Sequence, residues 1–186
     1  MTALDRAIQA IVGVLESEGI DYAIVGGIAN AVWGEPRATI DVDVTISVEP
    51  ARLRATIPAI AAPFHIPVSD PVSFVQQTRV LPLDTAEGVR IDVIFALLPF
   101  ELEAIRRAKR VTIAERSVSI VTPEDLVLMK IVSDRPRDLA DAEAILRRRR
   151  HELDRGYLEP RVRELATALE RDEIFDRWKR WTAADR

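Results

Sequence analysis

The chain has 186 residues, 48% of them hydrophobic and 30% charged, which suits a globular protein with a substantial buried core. It contains no cysteine and only two histidines, His65 and His151, which excludes disulfides, a catalytic thiol and a zinc site built from these residues. The net charge of −4 gives no general basic surface for nucleic acid, and any bound metal would be held mainly by carboxylates, which favours Mg²⁺ or Mn²⁺.

The N-terminal segment predicts neither a secretory signal nor a membrane span. Asp5 lies where a signal peptide would carry positive charge, and the apolar residues recur at helical spacing rather than in one run. No apolar stretch approaches the ~20 residues that a bilayer-spanning helix needs. We therefore expect a cytoplasmic protein without a membrane partner.

Helices and short strands alternate in the first third of the chain. The predicted elements are a helix over 3–18, a strand over 22–25, a helix over 28–33 and a strand over 39–48. Pro50 is placed to open a further helix, and Pro58 should kink or end that helix before Ala61.

Two hairpins and then helices alone are predicted for the rest of the chain. The runs RVLPLDT and VRIDVIFAL form one hairpin around AEG, and RVTIAERSVSIVT forms another after the helix PFELEAIRRA. From Pro123 onward the predicted helices are PEDLVLMKIVSD, RDLADAEAILRRRR and a long one over 157–181. The chain therefore predicts an α+β fold, with a mixed β-sheet flanked by helices over 1–122 and a small helical region over 123–186.

Positive charge is concentrated after residue 133. Residues 134–186 hold 14 basic and 13 acidic side chains, against 12 and 17 in residues 1–133. The run Arg147–Arg150 is interpreted as a solvated helix face or, alternatively, as a phosphate-contacting patch. Trp178 and Trp181, at i, i+3 spacing, are either core residues of the last helix or a contact patch, and we favour the core.

The strand IDVDVTI carries two aspartates on one face. Asp41 and Asp43 alternate with aliphatic residues, so their side chains point the same way from positions about 6–7 Å apart. That separation allows both carboxylates to share one or two divalent cations. The alternative is an edge strand with a solvated polar face. The aliphatic residues expected to face a core are Ile40, Val42, Val44 and Ile46.

A third aspartate, Asp92, lies in the middle of the apolar strand VRIDVIF, outside any turn. A salt bridge with Arg90 or with a neighbouring strand is the alternative explanation. Gly26 and Gly27 lie between a strand and a helix, where they are either an ordinary tight turn or a place where phosphate approaches the backbone amides. Together these features predict a pocket for metal and phosphate.

These motifs resemble a known superfamily. The order of GG at 26–27, RATIDVD at 37–43 and IDV at 91–93 resembles the DNA polymerase β-type nucleotidyltransferases. Within it, GGIANAVWGEPRATIDVDV resembles the AbiEii/AbiGii-type enzymes, many of which are toxins of type IV toxin–antitoxin systems. TPEDLVLMKIVSDRPRDLADAEAIL is similar to that group's Lys-containing helix and Arg-Asp-x-x-Asp segment. The resemblance implies a nucleotidyltransferase-type sheet, with the C-terminal helical region packed on that core.

The resemblance also implies roles for the acidic and glycine residues. Gly26 and Gly27 would hold the triphosphate of an NTP. Asp41 and Asp43 would ligate two Mg²⁺ or Mn²⁺ ions. Asp92 would complete the metal site and would accept the proton of the attacking hydroxyl.

The resemblance extends to three further residues. By resemblance, Arg37 and Lys130 would contact phosphates, and Asp138 belongs to the same second motif as Lys130. The alternatives are a surface helix lysine for Lys130 and a helix N-terminal acid complementing the dipole for Asp138.

The implied reaction is transfer of a nucleoside monophosphate from an NTP to a hydroxyl acceptor, with release of pyrophosphate. A tRNA or a protein is the favoured acceptor, and a toxin of this kind would have a cognate antitoxin as a partner. Two alternatives stay open: a non-catalytic nucleotide- or partner-binding module on the same fold, and a small-molecule adenylyltransferase of the antibiotic-modifying kind.

Overall fold

A computed structural model describes residues 1–183, and the chain divides into two compact units. The first unit comprises Met1–Ile28 and Ala38–Val121, and the second comprises Ala29–Arg37 together with the chain from Thr122 onward. The sequence did not predict that 29–37 would group with the C-terminal helices. No helix in residues 1–183 has the length and apolar character needed to cross a membrane.

The first unit is built on a six-stranded mixed sheet. Its strands are β1 (Tyr22–Ile24), β2 (Asp41–Ile46), β3 (Val80–Asp84), β4 (Arg90–Phe95), β5 (Lys109–Ile113) and β6 (Arg116–Ile120). The order across the sheet is β3-β4-β2-β1-β6-β5. β2 pairs with β4, and β1 with β6, in parallel; the other neighbours are antiparallel. The predicted α+β class is confirmed.

Both predicted hairpins are present, and the backbone at the second one defines its turn type. Ala114 and Glu115 connect β5 to β6 and both have positive φ, 50° and 62°. Two successive residues of positive φ are the pattern of a type I′ turn, whose twist matches that of the flanking strands.

Helices accompany the sheet in this unit. They are α1 (Ala3–Ser17), the start of α2 (Gly26–Trp33), α3 (Leu53–Ala61), α4 (Pro71–Thr78) and α5 (Pro99–Arg107), with a 3-10 turn at Pro50–Arg52. Thr2 caps α1 in a capping box with Asp5, which supports the predicted start. α1 buries Ile11 and Leu15 completely and contacts β2 and α3.

Three sequence expectations were wrong in detail. Ile40 is 83% exposed because the ladder between β2 and β4 begins only at Asp41, opposite Arg90. Pro58 does not end α3, which continues to Ala61. Proline lacks a backbone N–H donor, which destabilises a helix by ~3 kcal/mol. Burial of Ile57 and Ile60 stabilises the folded helix by about as much or more. α2 begins at Gly26 itself rather than at residue 28.

The second unit is helical after Thr122. Its helices are α6 (Pro123–Ile131), α7 (Pro136–Arg148), α8 (Arg155–Ala168) and α9 (Asp172–Ala183). The predicted single helix over 157–181 is therefore two helices. Glu170 has a φ of 54°, and the amide of Arg171 donates to the carbonyl of Ala166 at 2.8 Å, which is a Schellman ending of α8. Trp178 of α9 is buried, as expected for a core residue, whereas Trp181 is half-buried.

Candidate functional site

The parallel pairing of β2 and β4 brings two of the predicted aspartates together. Asp43 lies directly opposite Asp92 in the ladder, and Asp41 lies opposite Arg90. Neighbouring strands are about 4.8 Å apart, and residues in register point to the same side of a sheet. Asp43 and Asp92 are therefore adjacent on the face that also carries Asp41.

The opposite face of the same two strands fixes this register. Val42 and Val44 of β2, and Ile91 and Val93 of β4, have no exposed surface. A slip of one residue would turn these aliphatic side chains out of the core and the aspartates into it. The core therefore determines which carboxylates meet.

Two glycines let the start of α2 approach this face closely. Gly26 has a φ of +60°, and a Cβ built there would lie 1.9 Å from Oδ2 of Asp43. A Cβ at Gly27 would lie 2.4 Å from Oγ1 of Thr39. The amide of Val25 also donates to the carbonyl of Asp43 at 2.9 Å. Absence of side chains at 26 and 27 thus places the Asp43 carboxylate against the backbone that begins the helix.

Polar side chains engage Asp41 and Asp92. The hydroxyl of Thr39 donates to Oδ1 of Asp41 at 2.8 Å, and Nε of Arg90 donates to Oδ1 of Asp92 at 2.9 Å. The hydrogen bond to Asp92 and its charge raise the pKa of Arg90. Arg90 therefore supplies part of the positive charge that adjacent carboxylates need, and the salt bridge considered for Asp92 is present.

The donor types fit a hard divalent cation, although the side chains are not gathered into a coordination shell. Within residues 1–183 no three carboxylate or imidazole groups are arranged to hold a metal ion. The Arg90–Asp92 ion pair is partly exposed, with side chains 56% and 25% accessible, and such pairs are worth at most about 1 kcal/mol. Carboxylate oxygens are the ligands that Mg²⁺ and Mn²⁺ prefer, and a cation can replace Arg90 at small cost.

Lys130 and Asp138 meet inside the second unit. The Lys130 ammonium, only 6% exposed, donates to Asp138 and to Asp141, both at 2.8 Å. Burial by itself raises the pKa of Asp138, but the hydrogen bonds from Lys130 and Ser133 and the charge of Lys130 outweigh it, so the pKa is lowered overall. Lys130 is consequently a buried, paired lysine and not the surface lysine of the alternative interpretation.

Arg37 joins this cluster through a residue that was not among the predicted site residues. Its guanidinium lies 3.3 Å from Oδ2 of Asp141, which is itself buried. Nε of Arg37 is buried and has no hydrogen-bond partner within the described part of the chain. Asp141 follows Asp138 by three residues on α7, and this i, i+3 spacing was the signal in the sequence that both lie on one face of the helix.

The arginine run at the end of α7 is only partly a solvated face. Arg149 stacks on Trp33, 5.0 Å from the ring centroid, and donates to the carbonyl of the same residue at 2.8 Å. Arg147 pairs with Glu35 at 2.7 Å. Two of the four arginines therefore connect 29–37 to the C-terminal helices of the same unit.

One protein-family model, described as nucleotidyl transferase AbiEii toxin of a type IV toxin–antitoxin system, matches residues 9–181. No curated protein matches the sequence.

Solved structures share the fold. The solution structure of the antibiotic-resistance factor ANT(2'')-Ia is 16% identical, with a TM-score of 0.60 over 91% of this chain and 96% of that one. The crystal structure of ANT(2'')-Ia in complex with adenylyl-2''-tobramycin is also 16% identical, with a TM-score of 0.51 over 98% and 99% of the two chains. At this level of identity, the likeness concerns the fold.

Proposed function

The chain belongs to the AbiEii family of nucleotidyltransferases, and from this premise we propose that it moves a nucleoside monophosphate from an NTP to a hydroxyl acceptor in a reaction that requires a divalent metal. Asp43 opposite Asp92, with Gly26 against the Asp43 carboxylate, is the observation that carries the proposal. It joins acidic side chains and a helix start, which suit metal and phosphate respectively.

Asp41, Asp43 and Asp92 are the proposed metal-holding residues. Divalent cations bound to them would neutralise the negative charge that develops on the phosphate oxygens in the transition state. Asp92 would also accept the proton of the attacking hydroxyl. For either role Asp92 would give up its hydrogen bond from Arg90. That ion pair is partly exposed, so breaking it costs little free energy.

The proposed phosphate contacts follow the family's motifs. Backbone amides at Gly26 and Gly27 would donate to the triphosphate. Arg37 is proposed to contact a phosphate oxygen, which would satisfy the buried Nε that lacks a partner among the described residues. Lys130 would contribute its positive charge, with Asp138 holding the ammonium in place.

The acceptor proposed is a tRNA or a protein hydroxyl, with a cognate antitoxin as the regulatory partner and the cytoplasm as the place of action. Its support is the family description, which names a type IV toxin. A second candidate acceptor is a small molecule of the aminoglycoside kind. This candidate is favoured by the match to the ANT(2'')-Ia complex with adenylyl-2''-tobramycin, which covers nearly the whole of both chains.

The reaction can be tested with Mg²⁺, each α-labelled NTP, total tRNA, a cell protein extract and tobramycin in separate incubations. We expect label in the tRNA or protein fraction with one or more NTPs. Asp43→Asn should abolish transfer, because a metal-holding carboxylate is lost while the shape of the side chain is kept. Asp21→Asn, an exposed aspartate of the same unit, is the matched control and should transfer label like the parent.

Three outcomes would decide against parts of this proposal. Equal transfer by Asp43→Asn and the parent would show that the carboxylate assignment is wrong. Label in tobramycin alone would select the second candidate. NTP binding without transfer to any acceptor would support the non-catalytic module.

A further inference from the structure

The second unit contains a pocket that combines positive charge with an aromatic wall. Its volume is about 220 Å³, and its lining comes from α7, the following loop, the start of α8 and α9. The basic lining residues are Arg147, Arg150, Arg155 and Arg180. The apolar lining residues are Leu146, Leu153 and Trp181, and Glu143 is an acidic one. Nothing in the proposed reaction uses these residues.

The two types of lining residue occupy different depths. Leu146 and Leu153 are 7% and 8% exposed and belong to the core of the unit, while the four arginines are exposed. Trp181 is half-buried, and the Arg177 guanidinium lies 6.0 Å from its ring centroid, at the outer limit of a cation–π contact. An apolar floor with an aromatic wall is therefore bordered by guanidinium groups.

The Arg147 guanidinium can contact an incoming anion at low cost. Arg147 pairs with Glu35, but the two side chains are 66% and 56% exposed, and an ion pair in that setting is worth at most about 1 kcal/mol. A phosphate offers the same arginine a bidentate acceptor and can replace the carboxylate. The pocket is thus suited to a ligand that carries several negative charges beside a flat apolar group.

We propose that this pocket binds single-stranded RNA, with a base against Trp181 and phosphates on the arginines. Stacking on an aromatic side chain beside a basic groove is how proteins hold unpaired nucleotides. An acidic peptide would satisfy the arginines but brings carboxylates without a planar base for the tryptophan wall. The inference rests on the proposed function, since it identifies RNA as the acceptor class.

Binding can be measured without catalysis. The probe is a fluorescein-labelled 12-nucleotide single-stranded RNA, titrated with the full chain without NTP or metal, with anisotropy read at several salt concentrations. Arg150→Ala/Arg180→Ala should weaken binding about tenfold. It should also reduce the slope of log affinity against log salt by about 1.4, because each single-strand phosphate contact contributes about 0.7.

A matched control removes the same charge elsewhere. Arg106 and Arg163 are 71% and 61% exposed, and each pairs with a glutamate on its own helix. Neither lines the pocket. Arg106→Ala/Arg163→Ala should therefore leave both the affinity and the salt slope near the parent values.

The tryptophan wall has its own test. Trp181→Leu should weaken RNA binding at least about fivefold, the lower bound for losing one stacked base, and Trp181→Phe should restore most of the affinity. Circular dichroism melts would identify a variant that has lost its fold. If Trp181→Leu does not fold, the RNA affinities of Trp181→Phe and of the arginine variants, each compared with the parent, test whether the pocket binds RNA.

The inference fails if the RNA does not bind, if both arginine pairs lose affinity equally, or if a polyglutamate peptide of the same length binds more tightly than the RNA. These results are separable from a failure of the proposed function. Asp43→Asn should bind the RNA like the parent while transferring no label. If the parent binds RNA at the pocket but transfers no label, the pocket assignment stands and the proposed reaction is wrong. If the parent transfers label to protein but does not bind RNA, the reaction stands and the pocket assignment is wrong.

Discussion

Gly26 and Asp43 illustrate how a single position can serve both backbone geometry and site chemistry. The backbone at Gly26 is left-handed, and the volume that a side chain would need is filled by the carboxylate of Asp43. Left-handed backbone costs other residues about 1–2 kcal/mol. Position 26 therefore has two independent reasons to be glycine, and they can be separated by experiment.

Gly26→Ala should destabilise the protein and also weaken metal binding. The new methyl group meets Oδ2 of Asp43 and must displace that carboxylate from its place beside Asp92. Gly19→Ala is the matched control, because Gly19 has a φ of +62° with no atom within 4 Å of the added Cβ. We expect Gly19→Ala to cost about 1 kcal/mol with Mn²⁺ affinity unchanged, and Gly26→Ala to cost more and to reduce that affinity. Thermal melts and Mn²⁺ titration by electron paramagnetic resonance measure the two effects.

Equal losses of stability in the two glycine variants, with equal Mn²⁺ binding, would mean that contact with Asp43 has no consequence at position 26. A loss of Mn²⁺ binding in Gly19→Ala would indicate that the assay reports general unfolding rather than the state of the carboxylates.

At the scale of elements, the break between α8 and α9 is the feature that periodicity missed. Apolar residues recur across 157–181 as they would in one helix, yet the chain turns at Glu170. Ile174 and Trp178 of α9 are buried, so packing of a second helix, and not local preference, determines where the first one ends. Glycine is the residue usually found at this left-handed position, and glutamate is a poor substitute.

Glu170→Gly should therefore stabilise the protein. Relief of the left-handed backbone outweighs the extra entropy of glycine in the unfolded chain by about 0.5–1 kcal/mol, which corresponds to a rise of roughly 1–4 °C in Tm. Glu164→Gly, within α8, is the control and should lower Tm, because glycine inside a helix costs about 1 kcal/mol. Differential scanning calorimetry provides both values, and a fall in Tm for Glu170→Gly would show that its side chain makes a contact that matters more than the backbone.

Prediction of elements from the sequence succeeded where one face of an element is buried. It failed where a neighbouring element determines how far a strand or helix extends. The alternation in β2 identified Val42, Val44 and Ile46 as core residues. Ile40 follows the same alternation but is exposed, because strand pairing stops one residue later. The extent of a ladder depends on the partner strand, which periodicity within one segment does not reveal.

For the whole molecule, metal binding should be linked to folding. Three aspartates and Arg90 lie on one face of the sheet, so a cation that binds the folded carboxylates stabilises the folded state by mass action. At a metal concentration ten times Kd, the gain is about 1.4 kcal/mol, or roughly 3–6 °C in Tm for a protein of this size. We expect Mn²⁺ or Mg²⁺ to raise Tm by this amount and EDTA to reverse it.

The matched variants separate specific from general effects of the ion. Asp43→Asn should lose the increment in Tm, and Asp21→Asn should keep it. An equal increment in all three proteins would mean that the ion acts elsewhere, and the proposed metal-holding role of Asp41, Asp43 and Asp92 would then be wrong.

The sequence by itself determined the parts of this protein that depend on local order: the helical and strand periodicities, the α+β class, and the family, through motifs that a family model matches over residues 9–181. It also indicated that Asp41 and Asp43 share a face, because alternation is a property of a single strand. Their catalytic role remains a proposal.

Tertiary structure alone decided which groups meet. Asp92 lies beside Asp43 because β2 and β4 pair in parallel, and Asp141 joins Lys130 to Arg37. Arginines and a tryptophan from separate helices also line one pocket. Such contacts depend on pairing and packing between segments distant in the chain, and these are determined by burial of the shared core rather than by the order of residues within any one segment.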